Sequence, residues 1–265
     1  MKDPNASLPV MSASHLSVGY AGHAPTLSDI GFELRPSALT VMLGENGSGK
    51  STLIRTLSGA QAPLSGNVML GGRPVVSYSL RQRSRLLGMV YTDRAVAGGL
   101  TVRETVAIGR QPYTGLFGRL SDSDRLIVDE AMRLAGIEHK APRYLSDLSD
   151  GERQKAMIAR VLAQQTPLVI LDEPTAFLDV ASRIDMMRLL RRLVDEEGRT
   201  VLLSTHDVAS AVDVADDIWI VDSEQRRLYI GDADEIIESG MINRAFPDRN
   251  IAFDRQARDF IYLEK

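Results

Sequence analysis

Short apolar runs broken by glycine-rich loops fill the first third of the chain, and helical spacing takes over afterwards. Residues 14–20 and 27–34 read as strands. Leu39-Thr40-Val41-Met42-Leu43 is an apolar run, followed by a glycine loop and then a helix ending near Gly59. Asn67-Val68-Met69-Leu70 followed by Gly71-Gly72 predicts a hairpin. Residues 101–147 are mostly helical in pattern, with a loop around Pro112–Ser123. Leu168-Val169-Ile170-Leu171 is another buried strand. From Asp179 to Glu197, Val180, Ile184, Met187, Leu190 and Val194 fall at helical spacing, and Gly198 caps the end. Thr200–Ser204 and Asp217–Val221 are further strands.

Strands alternating with helices predict an α/β fold with a mainly parallel sheet. The strand-rich opening adds an antiparallel layer, so the sheet core is mixed. Residues 1–12 read as a flexible N-terminal extension, with Met11 a second candidate start. Residues 13–231 read as one domain, with a helical part at about 93–160. Residues 232–265 read as a tail packed on it, helix-like over Asp232–Ser239 and then mixed strand or loop.

Composition narrows the function classes. The 265 residues are 44% hydrophobic and 25% charged, the balance of a folded globular chain. A net charge of -4 argues against a nucleic-acid partner. With no cysteine there is no disulfide and no thiolate metal site. No stretch approaches the roughly 18 apolar residues of a membrane span, and Met1–Ala6 lacks the apolar core of a signal peptide.

Gly44-Glu45-Asn46-Gly47-Ser48-Gly49-Lys50-Ser51 matches the phosphate-loop pattern, with a predicted strand before it and a predicted helix, beginning Ser51-Thr52, after it. Glycines let the backbone wrap closely, so that successive N–H groups point at phosphate oxygens. The helix N-terminus adds its positive dipole end. Lys50 is expected to reach the β- and γ-phosphates, and Ser51 to ligate Mg²⁺. The run Leu168–Leu171 ends in Asp172-Glu173. In phosphate-loop enzymes the first acid holds Mg²⁺ through water, and the second can polarise the attacking water.

These motifs and four others resemble the ATP-binding subunits of ABC transporters. Leu148-Ser149-Asp150-Gly151-Glu152-Arg153-Gln154 is similar to their signature motif. Ala176-Phe177-Leu178-Asp179 is similar to their D-loop. His206 stands where they carry a γ-phosphate-sensing histidine, and Tyr20 where they stack an aromatic on adenine. The resemblance covers residues 14–222. It implies an ABC-type phosphate-loop ATPase: a head-to-tail homodimer with two ATPs at the interface, each between one copy's phosphate loop and the other's signature. On this reading Lys50, Glu173 and His206 are catalytic. Tyr20, Gly44–Thr52, Ser149, Asp150 and Gly151 bind ATP, and Ser51, Asp172 and, weakly, Thr92 serve the metal.

The chain departs from the family at three places. Thr92 falls where a glutamine usually opens the Q-loop, and Thr is too short to span the same distance. Asp150 replaces a signature glycine; facing away from the nucleotide it caps the following helix. Ala176 replaces the usual D-loop serine. Glu173 and His206 remain, so an active ATPase is expected.

Gly98–Glu104, Val106-Ala107-Ile108-Gly109-Arg110-Gln111-Pro112-Tyr113, Gly118-Arg119-Leu120 and Asp124 are similar to the ATPases of iron–siderophore, haem and cobalamin importers. The resemblance implies a subunit on the cytoplasmic face of the inner membrane. Its partners would be two copies of a permease, docked on residues 93–115, and indirectly an extracytoplasmic substrate-binding protein. Two alternatives remain: the ATPase of another ABC importer or exporter, and an ABC ATPase without a membrane partner.

Overall fold

The structure, a computed structural model, describes residues 10–91, 99–115, 117–176, 178–247 and 250–263. The chain opens with antiparallel strands β1 (Met11–Val18) and β2 (Leu27–Glu33), followed by β3 (Leu39–Leu43) and α1 (Lys50–Leu57). The hairpin β4 (Ser65–Leu70) and β5 (Arg73–Pro74), the short α2 (Leu80–Arg83) and β6 (Leu87–Val90) come next. Helices α3 (Val102–Ala107), α4 (Asp122–Leu134) and α5 (Asp150–Ala163) form the central helical part. Strands and helices then alternate: β7 (Leu168–Asp172), α6 (Val180–Asp195), β8 (Thr200–Thr205), α7 (Val208–Val212) and β9 (Asp217–Asp222). The chain ends with β10 (Arg227–Asp232), α8 (Ala233–Ser239), α9 (Met241–Ala245) and the hairpin β11 (Ile251–Asp254) and β12 (Asp259–Tyr262).

One sheet has the order β2-β1-β4-β5 and is antiparallel. The other runs β10-β9-β3-β8-β7-β6, parallel except for the antiparallel edge strand β10. Its inner strands β3, β7 and β8 are buried along their whole length. That is why β3 and β7 read as apolar runs rather than alternating ones.

Side chains alternate across the parallel sheet, and each face has its own core. Met42, Ile170, Leu202 and Trp219 join α1 and the antiparallel sheet in one cluster. Val41, Leu171, Leu203 and Ile220 point to the other face, against α5, α6 and α8. The Phe32 and Trp219 rings, 4.5 Å apart, bring the two sheets together. Strand β1 starts at Met11, three residues ahead of the expected start, so the last two residues of the expected extension are strand. Met11 is fully buried and paired with Leu70, and that contact is what recruits it. The tail holds the helix α9 where strand or loop was expected. Gly240, in the left-handed conformation at φ 75°, ends α8 and lets the chain start again as a helix.

Three helices of the central part start at the same device. Thr101, Ser121 and Ser149 each accept from the N–H three residues on, and Glu104, Asp124 and Glu152 reach back. Such reciprocal caps are worth about 1 kcal/mol each. Arg110 and Asp124, both buried, form the polar centre of this region. Arg110 Nε donates to Asp124 Oδ1 at 2.8 Å, Nη1 to Ala163 O at 2.7 Å, and the guanidinium lies over Tyr113 at 4.1 Å. Gly109 allows this packing: a Cβ there would fall 2.1 Å from Arg160 O of α5.

Candidate active site

The carboxyl ends of β3, β7 and β8 lie side by side, because β8 pairs with both neighbours in parallel. Ligands of open α/β sheets bind beyond such strand ends. Gly44–Gly49 leaves β3 there and wraps onto the start of α1. Gly47 and Gly49 hold φ of 81° and 113°, conformations that need glycine. A Cβ on Gly44 would strike Ser48 Oγ at 2.8 Å, so the loop folds back tightly on itself.

Lys50 is the first residue of α1 and is only 4% exposed. Its ammonium donates to Gly44 O at 2.8 Å and Glu45 O at 3.0 Å, and lies 3.3 Å from Glu173 Oε1. A buried cation needs such partners, because desolvation is expensive. Ser48 is buried as well, with its hydroxyl unpartnered. Ser51 is exposed and Thr52 half-buried at the head of the helix, and Glu45, Asn46 and Gly47 are exposed around the rim.

At the end of β7 the two acids are held by β8. Ser204 Oγ donates to Asp172 Oδ1 at 2.7 Å and accepts from Glu173 N at 3.0 Å. Glu173 N also donates to Ser204 O at 3.1 Å. Glu173 adopts φ 47°, a left-handed conformation unusual for a residue with a side chain. That turn swings its carboxylate out of the strand line: Oε1 faces Lys50 and Oε2 lies 3.1 Å from His206 Nδ1. The structure thus brings Lys50, Glu173 and His206 together in one chain of contacts, with Asp172 beside them. Ser204 is the residue sequence reading missed. Its only signal was its position at the end of a strand that would have to neighbour β7.

Tyr20 follows β1 and is 54% exposed. The loop it opens reaches the phosphate loop, since Thr26 Cγ2 stands 2.6 Å from where a Gly49 Cβ would be. Ser149, Asp150 and Gly151 lie elsewhere, at the start of α5. Among the described residues, no hydrogen bond or ion pair joins them to Gly44–Thr52. The cap of α5 is Ser149, not Asp150. The Asp150 carboxylate instead pairs with Arg153 at 2.7 Å, and Arg153 is anchored on Leu148 O at 3.0 Å, so its charge is countered one turn along the helix. Thr92, Phe177 and residues 93–98 of the expected docking surface lie outside the described residues.

The remaining part of that surface borders a groove of about 690 Å³. One wall is α2 and the end of β6, with Arg81 and Tyr91; the other is the Ile108–Gly115 segment with Arg160 behind it. Arg81 and Arg85 tie the walls together by donating to Pro112 O, and Arg81 also reaches Thr114 O at 2.8 Å.

A family model described as ABC transporter matches residues 27–176. The chain is 36% identical over 244 residues to the ferric enterobactin transport ATP-binding protein FepC of Escherichia coli strain K12, covering 92% of this chain and 89% of that one. It is 37% identical over 201 residues to the iron(3+)-hydroxamate import ATP-binding protein FhuC of Bacillus subtilis strain 168, covering 76% and 74%. Among solved structures, it superposes on a chain described as a metal-chelate type ABC transporter in an inward-facing conformation. There the TM-score is 0.81 at 25% identity, over 97% of this chain and 98% of that one. A phosphate loop whose lysine faces the acid after β7, within a chain matched over this length, leaves one conclusion: the chain belongs to the ABC transporter family, as an ATP-binding subunit whose ATP hydrolysis is coupled to transport.

Proposed function

We propose that two copies of this chain bind two Mg-ATP between them and drive a separate membrane permease that imports a metal chelate. The observation that carries the catalytic half is the placement of Glu173 between Lys50 and His206. A triphosphate in the Gly44–Ser51 loop replaces Glu173 as the counter-ion of Lys50. The freed carboxylate then takes a proton from the attacking water. His206, 3.1 Å from that carboxylate, is within reach to orient the water or donate to a γ-phosphate oxygen. Tyr20, exposed beside the phosphate loop, stacks on the adenine.

The oxygen donors of Ser51 and Asp172 suit Mg²⁺, which prefers hard ligands and takes few from the protein. When bound, the ion spreads the negative charge that builds on the phosphates. Ser204 fixes the Asp172 carboxylate for that task.

The separation of Ser149–Gly151 from the phosphate loop supports a site completed by a second copy. In that arrangement the Ser149 hydroxyl and the first N–H groups of α5 face the partner copy's γ-phosphate. Countered by Arg153, Asp150 does not repel it.

The importer reading rests on the transport functions for which the relatives are named and on the groove beside Ile108–Gly115. A permease helix on the cytoplasmic side fits such a cleft between two walls, and the substrate-binding protein acts from the far side of the membrane. The peripheral location at the cytoplasmic face follows from that docking; among the described residues no helix is long and apolar enough to cross a membrane. The test is affinity purification of the tagged chain from detergent-solubilised native membranes. Recovery of a polytopic permease, lost when residues 108–115 are altered, supports importer coupling. Recovery of soluble partners alone overturns it and leaves the ATPase standing.

A further inference from the structure

His206 makes one hydrogen bond through its ring among the described residues, the contact with Glu173, and its side chain is half exposed. A ring held so lightly is placed by its backbone, so what fixes that backbone matters to the site. Asp207, the next residue, is held on all sides. Its N–H donates to Thr205 Oγ1 at 3.0 Å, Oδ1 accepts from Ser210 N at 3.3 Å, and Oδ2 accepts from Arg183 Nη1 at 2.9 Å.

Arg183 comes from the first turn of α6, where its own N–H donates to Asp179 O. Its Nη2 reaches back to Leu178 O at 3.4 Å. One guanidinium therefore spans two segments that leave the site: the loop that follows Glu173 and the loop that carries His206. The planar fork of arginine presents donors in both directions at once. The arrangement has a cost, because Arg183 Nε is buried with no partner.

We propose that Arg183 is a positioning residue for ATP hydrolysis, locking the His206 segment through Asp207 so that the imidazole stays in register with Glu173. The proposal rests on the assignment of Glu173 and His206 given above. Arg183 touches neither of them and transfers no proton; it holds the backbone from which His206 projects. The same guanidinium also ties that segment to Leu178 O.

The test uses the full chain with Mg-ATP and two readouts. The first is steady-state turnover of Arg183→Gln, Asp207→Asn, His206→Ala and the double variant Arg183→Gln/His206→Ala. The second is the ring ¹⁵N spectrum, in which the four histidines of the chain are few enough to assign. Arg183→Gln is expected to lower kcat by about tenfold with KM for ATP unchanged, less than the roughly 10²-fold for loss of a proton-transferring group. Its His206 ring signal should shift towards that of Glu173→Gln, Arg183→Lys should recover part of both, and Asp207→Asn should reproduce both losses. In the His206→Ala background Arg183→Gln should cost nothing further.

An equal loss in both backgrounds, or an unmoved His206 signal, overturns the proposal. If Arg183→Gln fails to fold, Asp207→Asn carries the same comparison. If His206→Ala and Glu173→Gln leave turnover intact, the site assignment itself has failed, which is a different result from an additive double variant. The ring spectrum is read without turnover, so the comparison holds even where the chain alone hydrolyses slowly.

Discussion

The Ser204 hydroxyl sits 2.7 Å from Asp172 Oδ1, donating to it while accepting from the next N–H along, that of Glu173. A single oxygen on β8 thus contacts both acids at the end of β7, through the carboxylate of Asp172 and the backbone of Glu173. Partners that orient a metal-binding carboxylate typically matter by about 10–100-fold. Ser204→Ala should raise the Mg²⁺ concentration for half-maximal turnover within that range while leaving the fold intact. Turnover titrated with Mg²⁺ at saturating ATP checks it; an unchanged midpoint would show that Asp172 needs no such support.

Glu173→Gln keeps the shape of the side chain and removes its charge. ATP binding should persist and turnover should fall by about 10²-fold or more. With hydrolysis blocked, ATP should drive the chain into a dimer visible by size-exclusion chromatography with light scattering. Monomer at saturating Mg-ATP would count against the two-copy site.

Lys50→Ala removes the ammonium that bridges Gly44 O, Glu45 O and Glu173. It leaves the Glu173 carboxylate facing His206 alone and takes a positive charge from the phosphate site. Nucleotide affinity should fall by at least tenfold, measured by calorimetric titration with ATP. Retained affinity would mean that the backbone N–H groups alone hold the phosphates.

The polar centre of the helical part has its own pH signature. The Ser121 hydroxyl and N–H, joined by Arg110, hold the Asp124 carboxyl at about 2, below its ordinary 3.8. A carboxyl lowered on folding adds stability that is fully present above its unfolded value and is lost as pH falls through the folded one. This contribution should therefore fade between about pH 4 and about pH 2. Urea melts of the protein and of Asp124→Asn over that interval give the comparison: the variant should lose this part of the slope. Arg110→Met should cost about 3 kcal/mol near neutral pH, because it strands a buried carboxylate. A loss below about 0.5 kcal/mol would show that the ion pair adds nothing to the Ser121 cap beside it.

Gly109 offers a test of the docking wall. Gly109→Ala puts a methyl group into Arg160 O of α5 and must push the Ile108–Gly115 segment away from that helix. Permease recovery in the membrane pull-down should drop while ATP binding by the Gly44–Ser51 loop is kept. Equal recovery would place the contact elsewhere.

Local pattern was enough for much of this molecule. Continuous apolar runs marked β3 and β7, because buried parallel strands have no solvent face to carry polar residues. The spacing from Val180 to Val194 marked α6, and the glycines from Gly44 to Gly49 marked a loop that only glycine can turn. These signals are local in origin, since periodicity and backbone freedom act over a few residues. The sequence order of the motifs, with the acids at the end of β7 and His206 after β8, was also enough to identify the family by resemblance.

What the sequence could not decide depends on neighbours far along the chain. Met11 is strand because Leu70 pairs with it, and nothing in residues 1–12 announces that contact. Asp150 reads as a cap by type, yet Ser149 takes the cap and Asp150 turns to Arg153, a choice made by side-chain direction on the first turn of α5. Ser204 reaches Asp172 because β8 lies between β3 and β7, and Arg183 reaches Asp207 because α6 packs against α7. Sequence by itself therefore determined which segments fold locally and which family the chain belongs to. Tertiary structure alone decided which side chains hold those residues in place, because a hydrogen bond depends on distance in space and not on separation along the chain.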